Sequence, residues 1–141
     1  MNKILRAGVL LAASLILGAC SGAYDNPTGA PSATPAGLAP QVTVMEAAAL
    51  RNDGALMLDV REPSEWAAGH IAGATLIPLG DLPSRLGELP RDRTIVTVCR
   101  SGNRSAQGRD ILHAAGFTNV TSMAGGMNDW VTAGLEVVTG P

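Results

Sequence analysis

The chain has 141 residues, 46% of them hydrophobic and 16% charged, which suits one domain of ordinary size. Ten basic against twelve acidic residues give a formal net charge of −2. No basic patch stands out apart from one short loop, which speaks against a nucleic-acid partner. The only cysteines are Cys20 and Cys99 and there are two histidines, so neither a disulfide framework nor a metal-ligand cluster is indicated, and no cofactor is implied.

Residues 1–6 carry Lys3 and Arg6, and a run of apolar or small residues follows over 7–19. That is a charged start and an apolar stretch of secretory-signal size, too short to span a membrane comfortably. The run closes on Leu17-Gly18-Ala19-Cys20, which resembles a bacterial lipobox. The resemblance implies lipidation at Cys20, which would become the mature N-terminus, and an exported protein held at a membrane by its lipid anchor. Ser21 after the cysteine favours the outer membrane if the host is Gram-negative. The alternative is an ordinary signal cut near Ala19 that leaves an unmodified thiol. Without Lys3 and Arg6 the charge becomes eight against twelve, or −4.

Residues 20–40 form a candidate tether. They are rich in Ser, Gly, Ala and Thr, and Pro27, Pro31, Pro35 and Pro40 recur every four or five positions. Such a composition cannot build a core. A flexible coil of this length spans about 25 Å.

From residue 41 strands and helices alternate, and 41–141 is read as the folded domain. A short strand is predicted over 41–44 and a helix over 45–51 with Ala47, Ala48 and Leu50 inward. The nearly continuous apolar run 55–60 reads as a parallel strand covered on both faces. A helical turn over 62–68 should bury Trp66. Residues 75–77 form the next strand and 79–86 a further helix. The strand 94–98 leads into a loop, and a helix over 105–115 ends at Gly116. Residues 119–122 complete the strands, and a helix over 127–133 stops at Gly134. This alternation predicts an α/β domain of three layers with a mostly parallel five-stranded sheet flanked by helices. In such sheets ligands bind at the carboxyl ends of the strands.

At one such end stands Cys99-Arg100-Ser101-Gly102-Asn103-Arg104-Ser105. A loop between a buried strand and a helix aims several amides and the helix dipole at one point. Gly102 and Asn103 tolerate positive φ. A cysteine heading such a loop, beside two arginines, should ionise more easily than a free thiol, as a nucleophile must.

This loop is similar to the active-site loop of the single-domain rhodanese (thiosulfate sulfurtransferase-like) family. Four more segments agree in order and spacing: Leu58-Asp59-Val60-Arg61-Glu62-Pro63, the run from Glu65-Trp66 through Gly69-His70-Ile71 to Ala74, Ile77-Pro78-Leu79, and Ala124-Gly125-Gly126 with Trp130. The resemblance covers roughly residues 41–138. It implies a sulfurtransferase of the thiosulfate:cyanide type in which Cys99 takes a sulfane sulfur from thiosulfate or a persulfide and passes it to cyanide, a thiol or a partner protein. The loop amides and the groups of Arg100, Ser101, Gly102, Asn103, Arg104 and Ser105 would bind the substrate. Either Arg100 or Arg104 could hold the donor's oxyanion end, and one of them could instead fold onto Asp59 or Glu65. Asp59, Arg61 and Glu65 are expected to support the loop rather than to react. His70 is read as structural, His113 as a surface residue, Gly125-Gly126 as a tight turn at the mouth, and Trp66 and Trp130 as core anchors.

Two other classes remain open from the residues. Phosphatases and arsenate reductases of the same fold carry Cys-x5-Arg, whereas Cys99 to Arg104 is Cys-x4-Arg, a smaller ring suited to a persulfide. A non-catalytic sulfur- or anion-binding module would be expected to lack the cysteine.

Overall fold

The structure, a computed structural model, describes residues 37–141. The expected signal segment 1–19, the lipidation candidate Cys20 and the tether as far as residue 36 lie outside the described residues.

Five strands form one parallel sheet: β1 (Gln41–Val42), β2 (Leu56–Asp59), β3 (Thr75–Leu76), β4 (Ile95–Val98) and β5 (Val120–Met123), in the spatial order β1-β5-β4-β2-β3. Every pairing in the sheet is parallel. Four helices join them: α1 (Val44–Asn52), α2 (Pro63–Ala68), α3 (Asn103–Ala114) and α4 (Gly126–Thr132).

Strand periodicity divides the apolar residues between the two faces. On one face Leu58 and Ile95 pack with Leu82, Leu112, Phe117 and Val120. On the other, Met57, Val96 and Val98 pack with Ala47, Met123, Met127 and Trp130. Neighbouring residues of β2 and β4 thus belong to different cores, because successive side chains point to opposite faces. The three-layer α/β architecture agrees with the sequence reading.

Element boundaries differ where local chemistry intervenes. Thr43 ends β1 early because it caps α1: its hydroxyl accepts from the Glu46 amide at 3.3 Å while Glu46 accepts from the Thr43 amide at 2.8 Å. The helix expected over 79–86 is instead two 3₁₀ turns, Leu82–Ser84 and Leu86–Glu88. Gly80, Pro83 and Gly87 fall within or beside it, and such residues disfavour a continuous α-helix. Trp66 is half-buried rather than buried, and it stacks on His70 with ring centroids 3.5 Å apart. Trp130 is the aromatic core anchor, 1% exposed.

After β2 the chain leaves toward β3, and after β4 it leaves toward β5. The β2 and β4 carboxyl ends therefore flank a crevice where connections diverge, the place open parallel sheets use for ligands. Asp59 pairs with Val98 in register, so residues 60–62 and the loop starting at Cys99 rise side by side.

Leu112 carries α3 onto the sheet and is fully buried. Leu112→Ala is expected to cost about 2–5 kcal/mol. Met45→Ala, on the exposed face of α1, should stay within about 0.5 kcal/mol. Urea unfolding of the two variants tests this assignment of the core.

Candidate active site

Cys99 follows the last residue of β4 and is 1% exposed. The non-helical loop is shorter than the sequence suggests, because α3 already begins at Asn103. Only Gly102 takes a positive φ, 103°, and Asn103 is helical. The loop proper is therefore Cys99 to Gly102, and Arg104 and Ser105 lie in the first turn of α3.

The loop is held from outside by α4. The Met127 amide donates to the Cys99 carbonyl at 2.8 Å, and the Asn128 amide donates to the Arg100 carbonyl at 3.0 Å. These are first-turn amides of α4, which lack partners within their own helix. The approach is so close that a Cβ on Gly126 would overlap the Cys99 carbonyl and the Arg100 backbone. That contact, with φ values of 67° and 59°, explains the Gly125-Gly126 pair.

With its carbonyls engaged outward, the loop turns its amides inward. The Gly102 amide donates to Cys99 Sγ at 3.1 Å. The thiol in turn donates toward Ser105 Oγ at 3.6 Å, and that hydroxyl donates to the Gly102 carbonyl at 2.8 Å. Thr97 secures the base, its hydroxyl donating to the Ser105 carbonyl at 2.8 Å. Burial pushes the Cys99 thiol up. The amide and hydroxyl of Ser105 and the amides of Ser101 and Gly102 outweigh it, so the thiol titrates below its ordinary value.

The two loop arginines part company. Arg104 makes a two-pronged ion pair with Glu65, Nη1 to Oε2 and Nη2 to Oε1, each 2.7 Å. The arginine's hydrogen bonds hold the Glu65 carboxyl down at about 2. Arg100 is exposed, and its guanidinium has no hydrogen-bond or ion-pair partner among the described residues. Of the two loop arginines, only Arg104 is engaged in an ion pair among the described residues.

Asp59 and Arg61, expected to support the loop, make no hydrogen bond to it themselves. They form a buried pair, with Arg61 Nη2 at 2.6 Å from Asp59 Oδ2. Arg61 also donates to the Gly69 carbonyl at 2.8 Å and the Glu65 carbonyl at 3.3 Å. Their hold on the loop is indirect: Arg61 anchors two carbonyls of the C-terminal half of the α2 segment, and α2 presents Glu65 to Arg104. A short helix cannot satisfy its terminal carbonyls internally, and the buried guanidinium does so.

His70 is buried, with Nδ1 3.0 Å from the Trp66 carbonyl. His113 is exposed on α3, near the Phe117 carbonyl. Neither hydrogen-bonds to Cys99. Sequence reasoning missed the amides of Met127 and Asn128, whose only signal is the glycine pair before them. It also missed the segment after α4. There Val138 forms a backbone bridge with His70, and Val137 packs against Gly69 so closely that a Cβ on Gly69 would lie 2.9 Å from it.

A single activated cysteine, cradled by amides at the carboxyl edge of a parallel α/β sheet, defines a domain for covalent chemistry at sulfur. Residues 43–133 match the rhodanese-like domain family, and the chain belongs to it. It is 40% identical over 83 residues to a sulfurtransferase of Allochromatium vinosum, covering 59% of this chain and 78% of that one. It is 36% identical over 90 residues to the thiosulfate sulfurtransferase GlpE of Pseudomonas entomophila, covering 64% and 83%. The human single-domain sulfurtransferase TSTD1 superposes with a TM-score of 0.64 at 29% identity, over 67% of this chain and 97% of that one. Longer proteins also match: the chain spans 19% of a probable adenylyltransferase/sulfurtransferase of Mycobacterium tuberculosis, at 42% identity over 76 residues and 52% of this chain.

Glu65→Gln removes one half of the ion pair with Arg104 and should lower stability by about 1–2 kcal/mol at pH 7, allowing for solvent screening. The folded carboxyl titrates far below its unfolded range, so its contribution is complete above about pH 5 and fades as the pH falls toward 2. Urea unfolding at pH 7 and pH 3 should show the gap between wild type and variant narrowing. A gap independent of pH would assign it to something other than the ion pair.

Proposed function

We propose that the protein is a sulfurtransferase that carries a sulfane sulfur on Cys99. The observation that carries this reading is the amide ring closed on Cys99 Sγ, which lowers the thiol's pKa without a histidine base. Family membership and the sulfurtransferase names of its relatives support the reaction class. In the donor step the Cys99 thiolate attacks the outer sulfur of thiosulfate. A Cys99–S bond forms, the S–S bond of thiosulfate breaks, and sulfite leaves with the electron pair. Arg100, exposed and unpaired among the described residues, is placed to hold the departing oxyanion. The product, Cys99–S–S⁻, keeps its negative charge within reach of the amides of Ser101, Gly102 and Ser105. In the acceptor step cyanide or a thiolate takes the outer sulfur, and Cys99 leaves as the thiolate.

Cys99 is the only cysteine among the described residues, so the persulfide has no neighbouring thiol there to discharge it as a disulfide. The reading therefore implies an external acceptor, either a small thiophile or a separate thiol-bearing protein. Mass spectrometry after thiosulfate should show the mass of one added sulfur on the wild-type protein and none on Cys99→Ser. The same variant should lose transfer to cyanide by at least about a thousandfold. A Cys99→Ser protein that retained transfer would end this mechanism.

We also place the protein outside the cytoplasm on a lipid anchor at Cys20. The support is the charged start, the apolar run and Leu17-Gly18-Ala19-Cys20. Stable anchoring takes more than one acyl chain. Expression of the native sequence should give a detergent-phase protein. Cys20→Ser should give a soluble or unprocessed one, and an unmodified, water-soluble product from the native sequence would refute the anchor.

A further inference from the structure

Thr97 stands on β4 two residues before Cys99, on the face that meets α3, and is fully buried. Ile95 and Cys99, its neighbours on that face of the strand, belong to the apolar core. Valine has the same shape and a similar strand preference, and it carries no hydroxyl to desolvate. The Thr97 hydroxyl has one proton and two carbonyls in reach, Ser105 at 2.8 Å and Thr121 at 3.1 Å. Both carbonyls lie in regular elements, α3 and β5, whose backbone bonding already supplies a donor. A valine at position 97 would therefore orphan no buried group, and the fold by itself does not call for the hydroxyl.

What the hydroxyl reaches is the residue that serves the sulfur twice, through the Ser105 hydroxyl and the Ser105 amide. Ser105 sits in the first turn of α3, which starts at Gly102 with a positive φ and no capping side chain. A first turn has amides without partners in its own helix, and it frays unless something holds it. Two contacts hold this one. Glu65 on α2 grips the far end of the Arg104 side chain, whereas Thr97 grips the backbone of Ser105 itself. Gly108 makes the second contact possible: a Cβ there would come within 3.3 Å of Val60 Cγ1 and 3.6 Å of Thr97 Cγ2. Without it α3 lies low enough on the sheet for a strand hydroxyl to reach a helix carbonyl. The charged groups around the sulfur do not share this task. Arg104 pairs with Glu65, Arg61 with Asp59 and Arg109 with Asp110. Glu62, Arg100 and Asp129 are exposed, and β4 and β5 carry no charge.

We infer that Thr97 is a positioning residue for the chemistry at Cys99: its hydroxyl fixes Ser105, so that the first turn of α3 keeps its N–H and O–H groups on the sulfur. The inference rests on the sulfur-transfer reading above and adds to it a buried residue that does not meet the substrate. In the thiol form Sγ–H donates toward Ser105 Oγ, and that hydroxyl donates to the Gly102 carbonyl. Once Sγ has lost its proton, the Ser105 hydroxyl is free to turn its own proton from Gly102 to the sulfur. The side chain of Ser105 is then no longer tied to Gly102, and the bond from Thr97 to its carbonyl keeps the residue in place. The same restraint serves the persulfide, whose inner sulfur occupies the position of the thiolate.

The full chain and its Thr97→Val, Thr97→Ser and Thr97→Ala variants are treated with thiosulfate over a range of pH, and sulfur loading of the peptide that bears Cys99 is timed by mass spectrometry. Alkylation of the same peptide by iodoacetamide gives a second pH profile that needs no sulfur donor. Valine keeps the shape of threonine and loses the hydroxyl, whereas serine keeps the hydroxyl and loses the methyl. Thr97→Val is expected to raise the midpoint of both profiles by about half a unit or more, which slows reaction at neutral pH about threefold while the plateau at high pH is kept. Thr97→Ser should titrate with the wild type, and Thr97→Ala with Thr97→Val. Should Thr97→Val fail to fold, the serine and alanine variants make the same comparison. A packing role gives the reverse order, with valine matching the wild type and serine impaired, and that result overturns the inference. So does a lowered plateau with an unmoved midpoint. Failure of thiosulfate and persulfide donors alike to load Cys99 overturns the sulfur-transfer reading, and the alkylation profiles then decide the role of Thr97 by themselves.

Discussion

A peptide loop has about as many carbonyls as amides, and only one set can face a buried anion. In this protein the choice is made by α4, whose first-turn amides occupy the carbonyls of Cys99 and Arg100. The remaining loop groups are then free to point their N–H bonds at Sγ. Nearly everything around the site serves that arrangement. Gly126 exists without a side chain because α4 must come within contact of the loop backbone. Gly102 accepts the left-handed turn that starts α3 and brings its amide to 3.1 Å from the sulfur. The sheet supplies the rest, since β4 and β5 set the heights from which the loop and α4 start.

Electrostatic support comes from farther away and is layered. The deepest part is Asp59 with Arg61, buried and mutually satisfied. Such a pair is a poor source of net stability, since desolvation offsets much of the attraction. Its value is geometric: the guanidinium ties down the C-terminal half of the α2 segment through the Glu65 and Gly69 carbonyls. The next part, Glu65 with Arg104, links α2 to the first turn of α3 and is partly solvated. Arg104 is thereby engaged by Glu65, while the Arg100 guanidinium has no partner among the described residues.

The fold was readable because its signals are local. Apolar strands over 55–60 and 94–98, separated by amphipathic stretches, can be arranged in few ways as a parallel sheet. The Cys99 loop was readable because Cys, Gly and Arg at that spacing follow a buried strand. What escaped depends on contacts between distant segments. Nothing in the sequence of Arg104 says that Glu65, thirty-nine positions earlier, will take it. The helix expected over 79–86 failed because Pro83 and its flanking glycines outweigh the leucine spacing. The packing of Val137 on Gly69 and the Val138–His70 bridge come from a two-residue-scale pairing that has no period to detect.

The stacking of Trp66 on His70 gives the molecule an optical property. Trp130 is sealed in the core with its N–H on the Glu136 carbonyl, so its emission follows the integrity of the whole domain. Trp66 is half-buried and nearly parallel to the His70 imidazole, their ring centroids 3.5 Å apart. The backbone of that same histidine holds Val138. The two indoles, the only ones in the chain, therefore stand in different surroundings, one stacked on an imidazole beside the C-terminal segment and the other enclosed by the core.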